Sequence, residues 1–155
     1  MVLQDLIRKA RVKDVKTIKD MINGYAKEGL MLARSYSELY ESIRDFYVYE
    51  TNGEIVGCCA LHVMWEDLAE ILSFAVKPEH RNNGIGSKLL KACLEDNHAL
   101  DVGTVFTLTC VPEFFEKRGF HRVEKSSLPH KIWNGCIKCP KFPECDEIPL
   151  VKKLS

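Results

Sequence analysis

The sequence has no long hydrophobic run and no excess of charge of either sign, and these absences exclude several classes of protein. No stretch approaches the roughly 20 consecutive apolar residues that a transmembrane helix needs. The 22 Lys and Arg residues balance the 22 Asp and Glu residues, whereas a general nucleic-acid-binding protein carries a basic field. We therefore expect neither a membrane nor a nucleic acid as a partner.

The N-terminus also lacks the apolar core of a secretory signal, since charged residues interrupt its apolar stretch. The seven cysteines are an odd number, and two of them, Cys58 and Cys59, are adjacent. Neighbouring residues of a strand point to opposite faces, so these two thiols are not expected to pair with each other. Together these features predict a cytoplasmic protein with reduced cysteines.

The length of 155 residues is that of one domain, and the hydrophobic content of 46% is enough for an ordinary core. We expect a single domain over residues 1–155. Its C-terminal part differs in character, because prolines break the periodicity and three cysteines cluster there. Residues 130–149 are therefore predicted to form an irregular, Cys-rich segment.

Hydrophobic periodicity predicts a mixed α+β fold. Asn52-Gly53, between two runs rich in aromatic and β-branched residues, is typical of a hairpin turn. Ser35 and Glu38 have the spacing of a capping box and predict a short helix. An earlier helix, with Asp14 as candidate N-cap, carries the apolar stripe Val15, Ile18, Met21, Ile22 and Tyr25. Strands are predicted over residues 6–10, 46–51, 55–64, 68–76, 105–109, from 120 and over 150–153, and further helices over 84–97 and 112–117.

The most informative stretch follows the strand predicted over residues 68–76 and opens the next helix. It reads Arg81-Asn-Asn-Gly84-Ile-Gly86. Unpaired N–H groups of a first helical turn converge, and the helix dipole adds roughly half a positive charge. The glycines let a phosphate oxygen approach the backbone, and Arg81 supplies a charge-assisted contact. The stretch is a candidate anion site whose spacing fits neither a P-loop nor the dinucleotide-binding fingerprint; an ordinary glycine-rich turn is the alternative.

This stretch resembles the Arg/Gln-x-x-Gly-x-Gly/Ala motif of the GNAT acyl-CoA-dependent N-acetyltransferases. Leu72-Ser-Phe-Ala-Val76 and Phe114-Phe-Glu-Lys-Arg-Gly-Phe120 resemble two further elements of that superfamily, in the right order. The resemblance implies the GNAT fold, with a mixed, mostly antiparallel sheet of six to seven strands and about four helices. It implies acetyl-CoA as co-substrate, held partly by the main chain of a fourth strand that splays from the fifth. The residues implied in coenzyme binding are Phe74, Ala75, Val76, Arg81, Asn82, Asn83, Gly84, Ile85, Gly86 and Ser87.

A narrower resemblance covers nearly the whole chain. Residues 22–35, 57–62, 68–71 and 128–131 are similar to the acetyltransferase domains of N-acetylglutamate synthases. This implies direct transfer of the acetyl group, in a ternary complex, to the α-amine of a small amino acid, L-glutamate first, at the start of arginine biosynthesis. Many such enzymes also carry an amino-acid-kinase-like domain that binds arginine. We expect this chain not to contain it, and arginine inhibition through it to be missing unless a separate chain supplies that domain.

Arg34, His62 and Lys131 are the candidates for binding the acceptor. A guanidinium at Arg34 would grip a carboxylate bidentately, and the resemblance places Lys131 near the second carboxylate. His62 lies where related domains often carry a cation, but a histidine pKa near 6.5 leaves its charge at neutral pH dependent on its surroundings. The alternatives are an ordinary surface arginine at 34 and a structural hydrogen bond at 62.

Glu70 is the candidate general base, because an acceptor ammonium must lose a proton before it attacks a thioester. Glu66 and Asp67 are less well placed, and a solvated strand residue is the alternative for Glu70. Phe115 stands where many superfamily members carry a tyrosine that protonates the departing thiolate, so that acid is absent. A thiol with a pKa near 8.5 leaves readily, which makes acid help a modest contribution. Cys110 could form an acyl intermediate, but direct transfer is favoured.

The C-terminal segment also offers soft metal ligands where apolar periodicity is weak. The four candidates are His130, Cys136, Cys139 and Cys145. A structural zinc would hold such a segment together, and two cysteines three positions apart suit it, although the remaining spacing matches no standard finger. Free thiols or a redox-labile pair are the alternatives.

Three hypotheses about function stay open at this stage. The first is acetylation of L-glutamate, and the second is acetylation of another amine: glutamine, a polyamine, an antibiotic or a protein N-terminus. The third is a non-catalytic module that binds acyl-CoA. This hypothesis stays open because Phe115 stands where many superfamily members carry a catalytic tyrosine. The exposed sheet edges of the fold also leave a homodimer open.

Overall fold

The computed structural model describes residues 5–128 and 147–154, and within them the chain forms seven strands and four α-helices. The strands are β1 (Asp5–Lys9), β2 (Phe46–Thr51), β3 (Glu54–Trp65), β4 (Leu68–Val76), β5 (Thr104–Thr109), β6 (His121–Arg122) and β7 (Ile148–Lys153). The helices are α1 (Val15–Lys27), α2 (Tyr36–Glu41), α3 (Ile85–Ala99) and α4 (Pro112–Glu116). The predicted α+β class and the numbers of strands and helices are confirmed.

All seven strands lie in one sheet, in the order β1-β2-β3-β4-β5-β7-β6. Strands β4 and β5 pair in parallel, and the other neighbouring pairs are antiparallel. The hairpin predicted at Asn52-Gly53 joins β2 to β3, with φ of 52° and 80° at the two turn residues. The described edges of the sheet are β1 and β6, and a homodimer through one of them stays a prediction.

The helices cover both faces of the sheet. The apolar stripe of α1 packs with Leu39 and Phe46 on one face, and α3 packs through Leu89 and Leu90 on the other. Gly57 lets α3 approach β3 closely, because a Cβ atom there would lie 3.0 Å from Cδ1 of Leu89. No helix within the described ranges is both long and apolar enough to cross a bilayer.

The two helix starts that the sequence suggested have different outcomes. The capping box before α2 is present, since Ser35 Oγ accepts from the Glu38 N–H and the Glu38 carboxylate accepts from the Ser35 N–H. Asp14 is not a side-chain cap of α1. Its carboxylate instead accepts hydrogen bonds from the N–H of Arg11 and from the guanidinium of Arg8. A 3-10 turn over Val12–Asp14 precedes the helix.

Candidate active site

A cleft of about 760 Å³ opens where β4 and β5 separate. The two strands pair over Ala69–Ile71 and Val105–Thr107. At the end of this paired region, the Thr107 hydroxyl donates a hydrogen bond to the Ile71 carbonyl at 2.9 Å. Among the described strands, none pairs with residues 72–76 of β4 on the β5 side. This divergence confirms the predicted splay and exposes a length of β4 backbone to the cleft.

The N-terminus of α3 points into this cleft. Gly84 precedes the helix with a φ of 77°, a left-handed conformation that glycine adopts without strain, and no side chain caps the helix start. A Cβ atom at Gly86 would lie 3.4 Å from Cζ of Phe114, so this glycine packs against the Phe114 ring beside the cleft. The residues present therefore fit the phosphate cradle that the sequence predicted, because no side chain within the described residues makes a capping hydrogen bond at this helix start.

Arg81 is held in position by Tyr25, a residue that the sequence had placed only in the apolar stripe of α1. The Arg81 guanidinium lies 4.9 Å from the centre of the Tyr25 ring, and its Nε donates to the Tyr25 hydroxyl at 3.0 Å. That hydroxyl in turn donates to the carbonyl of Val76 at the end of β4. Tyr25 thus ties the loop before α3 to the strand that lines the cleft.

Arg118 is a second cleft residue to which the sequence assigned no role. Its guanidinium lies 3.8 Å from the centre of the Phe114 ring, and its Nε donates to the Ser87 hydroxyl at 3.2 Å. The sequence feature that could have indicated a role for Arg118 is its position within the GNAT-like stretch Phe114–Phe120. The position puts a fixed positive charge beside the first turn of α3.

Phe115 is buried in an aromatic cluster beside β4. Its ring packs edge-to-face against Phe74, Phe114 and Phe120, with ring centres 6.0, 5.1 and 5.3 Å apart. The position predicted to lack an acid therefore supplies packing. Nearby, Cys110 lines the cleft just after the end of β5.

Glu70 lies at the base of the cleft, among apolar neighbours. Leu68 and Leu72 flank it on the same face of β4, and Phe106 is its register partner on β5. The pKa of Glu70 is raised to about 7, mainly by burial and to a lesser extent by the nearby charge of Glu147. The positive charges of His62 and Arg34 act in the opposite direction. A carboxyl group with a pKa near 7 is suited to exchange a proton at neutral pH.

Arg34 reaches the same cleft from the segment before α2. Its Nη1 donates to Ser73 Oγ at 2.9 Å and its Nη2 to Ser42 Oγ at 3.4 Å, while Nε lies 3.8 Å from a Glu38 oxygen. Ser73 has a φ of 51° in a bulge of β4. The arginine predicted for the acceptor is therefore oriented by hydroxyl groups, and its side chain is largely buried.

His62 lies on β3 directly opposite Glu70, but it is not among the described residues that line the cleft. Its Nδ1 lies 2.7 Å from a carboxylate oxygen of Asp45. This hydrogen bond raises the pKa of His62. The structure thus supports the structural hydrogen bond that was the alternative for this residue, and Asp45 is a partner that the sequence did not identify.

Five predicted site residues lie outside the described ranges: Lys131, His130, Cys136, Cys139 and Cys145. Their roles in acceptor or metal binding stay predictions. Within residues 5–128 and 147–154, no cluster of His, Cys, Asp and Glu could hold a metal ion.

The chain belongs to the GNAT acetyltransferase family. A family model described as "Acetyltransferase (GNAT) domain" matches residues 42–122. The chain is 43% identical, over 96% of both chains, to a Chlorobaculum tepidum protein named "Uncharacterized N-acetyltransferase CT2212". It is 36% identical to an amino-acid acetyltransferase of Mycobacterium tuberculosis, over 83% of this chain and 75% of that one. The protein is therefore an acetyl-CoA-dependent acetyltransferase.

Solved structures with the same fold include enzymes bound to coenzyme A. N-acetylglutamate synthase from Neisseria gonorrhoeae, complexed with coenzyme A and N-acetyl-glutamate, superposes with a TM-score of 0.89 at 27% identity. The match covers 98% of this chain and 35% of the synthase, so this chain spans about a third of that protein. A Mycobacterium tuberculosis protein, Rv2747, in complex with CoA gives a TM-score of 0.84 at 29% identity, over 97% of this chain and 99% of that one.

Proposed function

We propose that this protein transfers the acetyl group of acetyl-CoA to the α-amine of L-glutamate, as in the first step of arginine biosynthesis. The observation that carries the proposal is the convergence of Arg34 and Glu70 on the cleft that α3 enters. Arg34 offers a positive charge for an acidic amino acid, and Glu70 offers a base for its amine. The Neisseria synthase, which was solved with N-acetyl-glutamate, supports the choice of substrate.

The coenzyme half of the site is the N-terminus of α3 and the unpaired part of β4. Amides of residues 81–87 hold the diphosphate, with Arg81 and Arg118 adding positive charge at the two sides of the cradle. Main-chain groups of residues 74–76 contact the pantetheine arm and polarise the thioester oxygen. Acetyl-CoA supplies the reactive thioester when it is bound.

The acceptor half begins with Arg34. Its guanidinium is oriented by hydrogen bonds to Ser73 and Ser42. Because the side chain is already ordered, it loses less conformational entropy when it binds a carboxylate bidentately. Lys131 is proposed to add positive charge near the second carboxylate, whereas His62, which is not among the described residues that line the cleft, is not proposed to contact the acceptor. The positive charge of Arg34 suits an acidic amino acid better than a cationic antibiotic or a polyamine, and Glu70 beside it faces the amine.

Glu70 is proposed to remove a proton from the substrate ammonium, directly or through one water molecule. With a pKa of about 7, it is substantially ionised at neutral pH and still basic enough to accept the proton. The neutral amine then attacks the thioester in a ternary complex, and the thiolate leaves without a tyrosine, because the buried Phe115 replaces one. The same proposal places the reaction in the cytoplasm.

An assay of acetyl-CoA-dependent thiol release over the twenty amino acids tests this function. We expect glutamate to give the highest kcat/KM, with aspartate and glutamine well below it. The side chain of aspartate is one methylene shorter, and glutamine has a neutral amide in place of the second carboxylate. Faster turnover with a polyamine or a peptide N-terminus would favour another acceptor. Coenzyme binding without thiol release for any amine would favour the acyl-CoA-binding module.

The coenzyme cradle makes a separate prediction. Asn82 lines the cleft with a φ of 66°, and Asn82→Asp adds a negative charge there without a change of shape. Repulsion of the diphosphate at the helix N-terminus should raise the Kd for CoA by about tenfold to a hundredfold, and added salt should reduce the difference. Isothermal titration calorimetry measures both effects.

Asn52→Asp is the matched control for that variant. Asn52 is an exposed asparagine with a similar φ of 52°, and it lies in the β2–β3 turn outside the described lining of the cleft. Its replacement should leave the affinity for CoA unchanged. Equal affinities for the two variants would place the diphosphate away from the N-terminus of α3.

A further inference from the structure

Glu70 must release a proton in every turnover, and the cleft that holds it is filled by both substrates during the reaction. We propose that His62, held by Asp45, carries this proton from Glu70 to solvent by a route that does not pass through the cleft. The inference rests on the proposed role of Glu70 as general base. It assigns His62 and Asp45 a positioning and relay function rather than contact with the acceptor.

The sheet places His62 and Glu70 side by side. They are directly opposed in the antiparallel pairing of β3 and β4, so their side chains project from the same face. Their strand neighbours Leu61 and Ile71 pack in the core on the α3 side. Alternation therefore sends both titratable groups to the face that carries α1 and α2. On the other side of Glu70, the β5 register partner is the apolar Phe106.

Exposure increases along the route from Glu70 to the surface. Glu70 is half-buried, in surroundings that raise its pKa, whereas the side chain of His62 is 49% exposed and that of Asp45 is 28% exposed. Glu70 lines the cleft, and His62 is not among its described lining residues. His62 therefore meets solvent at a surface that bound acetyl-CoA would leave open.

Asp45 fixes which nitrogen of His62 takes part. A carboxylate only accepts hydrogen bonds, so the 2.7 Å contact assigns the hydrogen of the ring to Nδ1. Nε2 of the neutral ring is then the proton acceptor. In each turnover the O–H bond of protonated Glu70 breaks and an N–H bond forms at Nε2, directly or across one water molecule. The resulting imidazolium, stabilised by Asp45, then loses the Nε2 proton to bulk water.

Among the described charged groups around Glu70, His62 is the one suited to carry its proton. Glu70 is influenced by His62, Arg34 and Glu147, and His62 by Asp45, Glu70 and Arg34. An arginine stays protonated at all working pH values, so Arg34 cannot relay a proton. A histidine changes its charge near neutral pH, which is where Glu70 does so as well.

Two substitutions at His62 separate a relay from a simple positive charge. His62→Ala should lower kcat about tenfold or more at pH 7, with little change in the KM for the amine, and added imidazole should restore much of the rate. His62→Lys keeps the charge but holds its proton, because a lysine pKa is about 10.4, so it should stay impaired at pH 7. The side chain of His62 is exposed enough that both variants should fold, which circular dichroism and the affinity for CoA will check.

The inference is overturned if His62→Lys is as active as the parent, if imidazole fails to restore His62→Ala, or if the loss in His62→Ala lies in KM alone. The first and third results would make His62 a substrate contact. The measurement uses whichever amine the wild-type enzyme acetylates fastest, with Glu70→Gln beside it. Full activity of Glu70→Gln would refute the proposed base itself, a failure distinct from loss of the relay.

Discussion

Glu70→Gln is expected to lower kcat for acetylation of the amine by about 10²- to 10⁴-fold, the range by which a positioned base accelerates proton transfer. The amide has nearly the shape of the carboxyl group, so the substrate and CoA should still bind. Wild-type kcat/KM should rise with pH through a limb near pH 7, since burial raises the pKa of Glu70 to about 7. That limb should be absent from the residual activity of the variant.

The same variant makes a prediction about stability whose sign follows from the raised pKa. The folded protein keeps the Glu70 proton at pH values where the unfolded chain has already lost it, so folding stability falls as the pH rises from about 4.5 to 7. Glutamine removes this cost. We expect Glu70→Gln to increase the free energy of unfolding by about 2 kcal/mol at pH 8 and by less at pH 5.

Urea unfolding at the two pH values measures that difference. A variant that is more stable at pH 8 yet nearly inactive would separate catalysis from folding. Wild-type activity in Glu70→Gln would move the base to Glu66, Asp67 or bulk water. Equal stabilities of the two proteins at pH 8 would show that folding does not raise the pKa of Glu70.

Arg34→Ala is expected to lower kcat/KM for glutamate by about 30- to 1,000-fold, because a desolvated charge pair contributes some 2–4 kcal/mol. The loss should lie mainly in KM, since Arg34 binds the acceptor and does not contact the thioester. The Kd for CoA should be unchanged, which shows that the fold is intact. Steady-state kinetics over glutamate, glutamine and aspartate measure the effect and the change in preference.

Arg122→Ala is the matched control for the loss of an arginine. Arg122 pairs with Glu116 at 3.0 Å on the surface and is not among the residues that line the cleft. Its removal should leave kcat/KM for glutamate within about twofold, since surface ion pairs contribute little. An unchanged substrate preference in Arg34→Ala would remove this residue from the acceptor site.

The sequence was sufficient for the parts of the molecule that local chemistry determines. Hairpin residues Asn52 and Gly53, the capping box at Ser35 and the glycine-led start of α3 each depend on a few neighbouring residues. Their conformations are therefore encoded in short patterns. The divergence of β4 from β5 came from family resemblance, because strand separation depends on residues far apart in the chain.

The remaining site residues depend on contacts across the sheet. Asp45 reaches His62 from a sequence separation of 17 residues, and Tyr25 reaches Arg81 from a separation of 56. No local pattern indicates either pair. Ser73 adopts a positive φ in a β-bulge, and this bulge arises from the register shift between β3 and β4. Asp14 occupies the predicted N-cap position of α1, but its carboxylate bonds to Arg8 and to the N–H of Arg11 instead of capping the helix.

A crystal structure with CoA and N-acetylglutamate bound would test the arrangement most directly. We expect diphosphate oxygens about 3 Å from amide nitrogens at the start of α3. We also expect one carboxylate on Arg34 and the acetylated nitrogen facing Glu70. Coenzyme found elsewhere on the chain, or an acceptor whose carboxylates avoid Arg34, would contradict the proposed site.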